Sequence, residues 1–134
     1  RSQETAGRLD FMVAADTSAW ISFFSNDESD ESRNIEAGLR EGRLVLAPLV
    51  LFELLSSPTI TDDTVTLIKS LPRIDLTPGF WERAGEMRRQ ILKKKLKSRT
   101  ADCLIAQSCI DAGVPLIAVD SDFRHYQSFG LKLV

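Results

Sequence analysis

The chain has 134 residues, of which 43% are hydrophobic and 27% charged, and its formal net charge is −2. That composition suits one ordinary hydrophobic core and excludes a disordered segment, while the charge balance gives no global electrostatic footprint for nucleic acid. No apolar run approaches the roughly 20 residues of a membrane-spanning helix.

Arg1 to Phe11 is polar and lacks the apolar centre of a signal peptide. It is expected to be a vector-derived or disordered tail, with natural translation starting at Met12 and the folded domain covering 12–134. Met12 to Ala15 reads as a short buried strand ending at Asp16, after which Thr17 or Ser18 can cap a helix through Trp20, Ile21, Phe23 and Phe24. Asn26 to Ser29 breaks the pattern. Ser32 to Gly42 predicts a second helix closed by its glycine. Leu44 to Ala47 is a second apolar strand, and Pro48 suits the first turn of a helix carrying Leu49 to Leu55.

Asp62 to Ser70 predicts a further helix and Arg73 to Leu76 a short strand. The spacing of Phe80, Ala84, Met87 and Ile91 predicts a helix over Gly79 to Leu96. Thr100 to Ala112 follows as a helix ended by Gly113, then Leu116 to Val119 as a third apolar strand. Asp120 to Tyr126 reads as a polar loop or turn, and Leu131 to Val134 as a last strand. Short all-apolar strands alternating with helices predict an α/β fold, a three-layer α/β/α sandwich with a short, mainly parallel central sheet. Cys103 and Cys109 lie about one and two-thirds turns apart on one predicted helix, so they face opposite ways and read as unpaired core thiols in a reducing cytoplasm.

The residues that interrupt the apolar runs carry the chemistry. Glu53 is the lone charge between Leu44 and Leu55. If buried it needs a cation, a donor or a raised pKa, because an uncompensated buried carboxylate costs at least several kcal/mol; the alternative is an exposed helix edge or an arginine partner. Asp16 and Asp120 each follow an apolar strand, where parallel sheets bind ligands, yet each also suits the cap of a following helix. Asp102 sits in a first helical turn, where the macrodipole alone would favour it. Asp122 suits a turn. Together, acids converging on one sheet edge need a counter-charge. All-oxygen ligands with a single histidine, His125, point to Mg²⁺ or Mn²⁺ rather than structural zinc. The local basic stretch Arg88, Arg89, Lys93, Lys94, Lys95, Lys97 and Arg99 reads either as a phosphate-contacting surface or as a solvated helix end.

Val13 to Ile21 (VAADTSAWI), Ala47 to Leu55 with Glu53, Thr100 to Ala106 (TADCLIA) and Leu116 to Phe123 (LIAVDSDF) resemble the PIN-domain nucleases, and among them the VapC-type toxins of toxin–antitoxin pairs. The resemblance spans about Met12 to Val134. It implies a metal-dependent endoribonuclease that hydrolyses RNA phosphodiester bonds with a metal-activated water. Asp16, Glu53, Asp102 and Asp120 match the family's acidic quartet, with Asp16, Asp102 and Asp120 as metal ligands. Thr17, Ser18 and Asp122 match supporting positions, and Lys94, Lys95, Lys97 and Arg99 are candidate RNA contacts. The resemblance also implies a cognate antitoxin protein that covers the site, and a homodimer. One departure is Ala118, where the family often carries threonine two residues before the first aspartate of the last motif.

Two other readings stand beside this one. A non-catalytic RNA-binding or scaffold relative would keep the fold without the metals, although its acids would be expected to erode. A Mg²⁺-dependent phosphotransferase working through an aspartyl phosphate at Asp16 would want a second acid near the nucleophile, which Asp16 to Trp20 does not offer.

Overall fold

The computed structural model describes residues 11–134, so all of the expected tail except Phe11 lies outside the described residues. The element order is β1 (Ala14–Ala15), α1 (Thr17–Phe24), α2 (Asp30–Arg40), α3 (Pro48–Leu55), α4 (Asp62–Ser70), α5 (Phe80–Lys93), α6 (Thr100–Ala112), β2 (Leu116–Ile117) and a 3-10 helix over Ser121–Phe129.

β1 and β2 pair in parallel, Ala14 against Leu116 and Ala15 against Ile117. Isolated parallel bridges extend the pairing: Val13 to Leu44 and Leu46 to Arg73 on one side, Leu116 to Leu133 on the other. The segments therefore lie in the order Arg73, Leu44–Leu46, β1, β2, Leu133, all parallel. Successive strand residues point to opposite faces, and Ala14, Ala15, Leu116 and Ile117 are all buried. Both faces of the sheet are covered, as a three-layer α/β fold requires. The expected strands over Leu44 to Ala47, Arg73 to Leu76 and Leu131 to Val134 contract to single bridges.

α1 packs on α2, while α6 packs on α5, α3 and the 3-10 helix. Trp20, Ile35, Leu46, Val50, Ile68, Ile105 and Phe123 are among the buried side chains of one continuous core. Gly38 lets α2 approach the Leu44 segment closely, since a Cβ there would fall 1.9 Å from the Leu44 side chain. Arg83 of α5 ties to Asp111 of α6 at 2.7 Å. Cys103 and Cys109 are free and buried, as expected. Complete burial pushes the Cys109 thiol up to about 12, so it is an inert core group.

Three local expectations change. Asp16, not Thr17 or Ser18, is the N-cap of α1. Asp120 to Tyr126 belongs to a 3-10 helix whose inner side buries Phe123 and Tyr126. α5 ends at Lys93 rather than Leu96, because Lys95 adopts a left-handed backbone with φ of 62°. Its N–H donates to the Leu92 carbonyl and that of Leu96 to the Ile91 carbonyl, a helix stop that normally recruits glycine or asparagine. A lysine at that position hid the stop from the sequence.

Candidate active site

Asp16 leaves β1 at the end of the sheet and turns directly into α1. Its Oδ1 accepts the Ala19 N–H at 2.7 Å, and its Oδ2 accepts the Val119 N–H at 3.2 Å. The cap and the strand-end position are thus the same feature, not alternatives. Asp16 is 3% exposed. Burial pushes its carboxyl up from the ordinary 3.8 to about 6, against the pull of the two amides, and the like charges of Asp102 and Asp120 push in the same direction as burial. The deeply buried acid is therefore Asp16. Glu53, whose isolation in an apolar run drew attention in the sequence, is only half-buried.

Glu53 projects from α3 and accepts a hydrogen bond from the Thr17 hydroxyl at the start of α1. The donor expected for Glu53 is therefore Thr17, while Ser18 is exposed. Asp102 lies in the first turn of α6. Burial pushes its carboxyl up, Arg99 opposes that, and Asp120 and Glu53 add to the rise as like charges. Asp120 caps the 3-10 helix through the Asp122 N–H at 2.8 Å. Asp122 thus enters through its main chain.

Electrostatically, then, Asp16, Asp102, Asp120 and Glu53 form one neighbourhood drawn from β1, α6, the β2 exit and α3. Arg99, immediately before α6, reaches two of them. Its Nε donates to Asp102 at 3.2 Å and its terminal nitrogen to Asp120 at 2.7 Å. Arg99, expected among the RNA contacts, instead bridges two of the acids; the three-residue spacing from Arg99 to Asp102 at a helix start is the local signal for half of that bridge.

The segment carrying Arg99 is pinned from below. Ser98 is buried and its hydroxyl lies 2.8 Å from the Tyr126 hydroxyl. Arg88 Nε donates to the Ser98 carbonyl at 2.9 Å, and the His125 ring donates from Nδ1 to the Lys97 carbonyl, also at 2.9 Å. His125 thus fastens the loop, and Arg88 and Arg89 are engaged locally, Arg89 with Glu86. Lys93, Lys94, Lys95 and Lys97 are exposed and form no ion pair among the described residues.

Among the described residues, no three Asp, Glu, His or Cys side chains stand placed to hold a metal ion as they are. The donor set nevertheless fits a hard divalent cation. It is all carboxylate oxygen, it carries more negative charge than the Arg99 guanidinium balances, and like-charge repulsion already raises two of its members.

The PIN domain family matches residues 13–128. No curated protein sequence matches the chain. Among solved structures, the chain is similar in fold to VapBC2 from Rickettsia felis bound to a promoter DNA fragment, with a TM-score of 0.70 and 20% identity over 92% of this chain and 97% of that one. A VapBC-5 toxin–antitoxin structure from Mycobacterium tuberculosis gives a TM-score of 0.64 and 19% identity over 92% and 99%. DNA-bound VapBC from Salmonella typhimurium gives 0.63 and 14% over 92% and 97%.

Proposed function

The chain belongs to the PIN-domain family, and from that premise we propose that it is a Mg²⁺- or Mn²⁺-dependent endoribonuclease, the toxin of a toxin–antitoxin pair. The observation that carries this reading is the gathering of Asp16, Glu53, Asp102 and Asp120 at one end of a parallel sheet, with Asp16 buried and its carboxyl raised to about 6. A buried acid among like charges is costly unless a cation joins it.

Asp16, Asp102 and Asp120 would hold the ion, since each carboxylate oxygen that accepts an amide keeps a second lone pair. When bound, such an ion supplies charge neutralisation at the phosphate and an acidified water. The Ala19 and Val119 amides fix the Asp16 carboxylate against the sheet end. The Thr17 hydroxyl orients Glu53, which would take the proton of the attacking water. Lys94, Lys95 and Lys97, on the segment leading to Arg99, are free to meet RNA phosphates. An aspartyl-phosphate route fits less well. Asp16 is 3% exposed, which suits a small ion better than a bulky phosphoryl group.

A protein partner accords with the exposed aromatic residues Phe52 and Trp81, which line a groove of about 200 Å³ with Leu49, Leu76 and Leu104. The similar structures are toxin–antitoxin complexes.

The test is to incubate total RNA with the purified protein and Mg²⁺ or Mn²⁺, and to map the ends formed against an Asp16→Ala control. New ends are expected with the wild type only, and EDTA should remove them. Ends that persist in the variant or in EDTA would overturn the assignment.

A further inference from the structure

Arg99 is the cation that the structure places inside the acidic cluster. Its guanidinium spans Asp102 on α6 and Asp120 at the exit of β2, elements far apart in sequence. The side chain is 59% exposed, whereas the carboxylates it bridges are 19% and 30% exposed. The backbone beneath it is fixed, because Ser98 is buried against Tyr126 and the Lys97 carbonyl is held by His125. The guanidinium is therefore the part that can swing, on a base that stays in place.

We propose that Arg99 is a positioning residue that acts as an intramolecular counter-cation: it holds Asp102 and Asp120 together in the metal-free chain and competes with the divalent cation for them. The inference rests on the metal reading of the site given above. The guanidinium holds Oδ2 of both carboxylates, and a divalent cation drawing on the same pair would meet a like charge beside it, so entry of one favours release of the other. Exposed ion pairs of this kind are individually weak. Arg99 is thus strong enough to keep the empty acids from repelling each other and weak enough to yield. Released, it joins Lys94, Lys95 and Lys97 on one segment, where a phosphate backbone would meet it only after the ion is in place. The order of events, ion before RNA, is then built into one side chain.

The experiment is calorimetric titration of Mn²⁺ into the wild type, Arg99→Gln and Arg99→Lys, paired with NMR of the arginine Nε–H groups during Mg²⁺ titration of the wild type. Arg99→Gln should bind Mn²⁺ about three- to tenfold more tightly than the wild type, from the release of two exposed ion pairs. Arg99→Lys, a point charge without the two-pronged reach, should fall between them. The Arg99 Nε–H signal should move to a solvent-exposed position as Mg²⁺ saturates. Equal or weaker Mn²⁺ binding by Arg99→Gln, or an Nε–H signal that stays in place at saturating Mg²⁺, overturns the inference while wild-type binding still upholds the metal reading. Absence of Mn²⁺ binding in all three proteins overturns the metal reading and this inference with it.

Discussion

Asp16 and the pair Asp102–Asp120 belong to one acidic cluster but are held by different means. Asp16 is gripped by two main-chain amides at the end of β1 and is almost fully buried. Asp102 and Asp120 are half-buried and share an exposed guanidinium. The first arrangement fixes an oxygen pair to the sheet with no side-chain freedom. The second leaves room for groups to exchange. The proposed ion site would use both: a rigid reference point, and a rim that adjusts around it.

The sharpest way to break this contrast is to remove charge from each side without removing atoms. Asp16→Asn and Asp102→Asn should each lower RNA cleavage by at least about 10²-fold in single-turnover assays, since each removes a proposed ligand. Asp16→Asn should also have the larger effect on the stability of the metal-free protein, since Asp16 is the more deeply buried of the two raised carboxyls. Asp16 has a folded pKa raised from 3.8 to about 6, so its contribution to stability is fully present below pH 3.8 and lost as pH rises through 6. The shift corresponds to on the order of 3 kcal/mol. Melting of the wild type in chelator should therefore show falling stability from this group between about pH 4 and 6. Asp16→Asn should flatten that fall and be more stable than the wild type at pH 7, by about 1–2 kcal/mol after losing the Val119 bond. A wild-type curve parallel to that of the variant would show that Asp16 carries no such burden.

Next in size is the link between α1 and α3. Glu53→Gln should cost about 10²-fold in cleavage with stability within about 0.5 kcal/mol. Thr17→Val, which leaves the carboxylate but removes its donor, should cost several-fold less. Equal losses from both would mean that Thr17 acts on its own account.

The smallest effect concerns the stop of α5. Lys95→Gly relieves a left-handed lysine and should raise stability by about 1 kcal/mol in thermal melts. It also removes one proposed phosphate contact, so the salt dependence of RNA binding should fall by roughly one unit of slope. Lys94→Ala should reproduce the binding change alone.

The same contrast explains what the sequence made legible. Alternating apolar strands and helices predicted the three-layer fold, and the boundaries of α4 and α6 agree with it, because Gly113 and the apolar spacing mark them locally. The acids were legible as interruptions of apolar runs. Their burial was not. Glu53 stood out because its neighbours are all apolar, yet it sits at a helix edge beside Thr17. Asp16 followed only four strand residues, and its depth depends on the Val119 amide arriving from the other end of the chain. Long-range contacts of this kind leave no local trace. The bridge from Arg99 to Asp120 and the buried Ser98–Tyr126 pair were hidden for the same reason. The 3-10 helix looks like a loop in the sequence because its polar residues outnumber the two aromatic anchors, Phe123 and Tyr126, that fasten it.

The most direct measurement is anomalous diffraction from crystals grown with Mn²⁺. A manganese peak is expected within ligand distance of Asp16 and Asp102, with the Arg99 guanidinium withdrawn from Asp102 and Asp120. A peak elsewhere on the surface, or no peak at saturating Mn²⁺ with Arg99 still bridging the two acids, would contradict it.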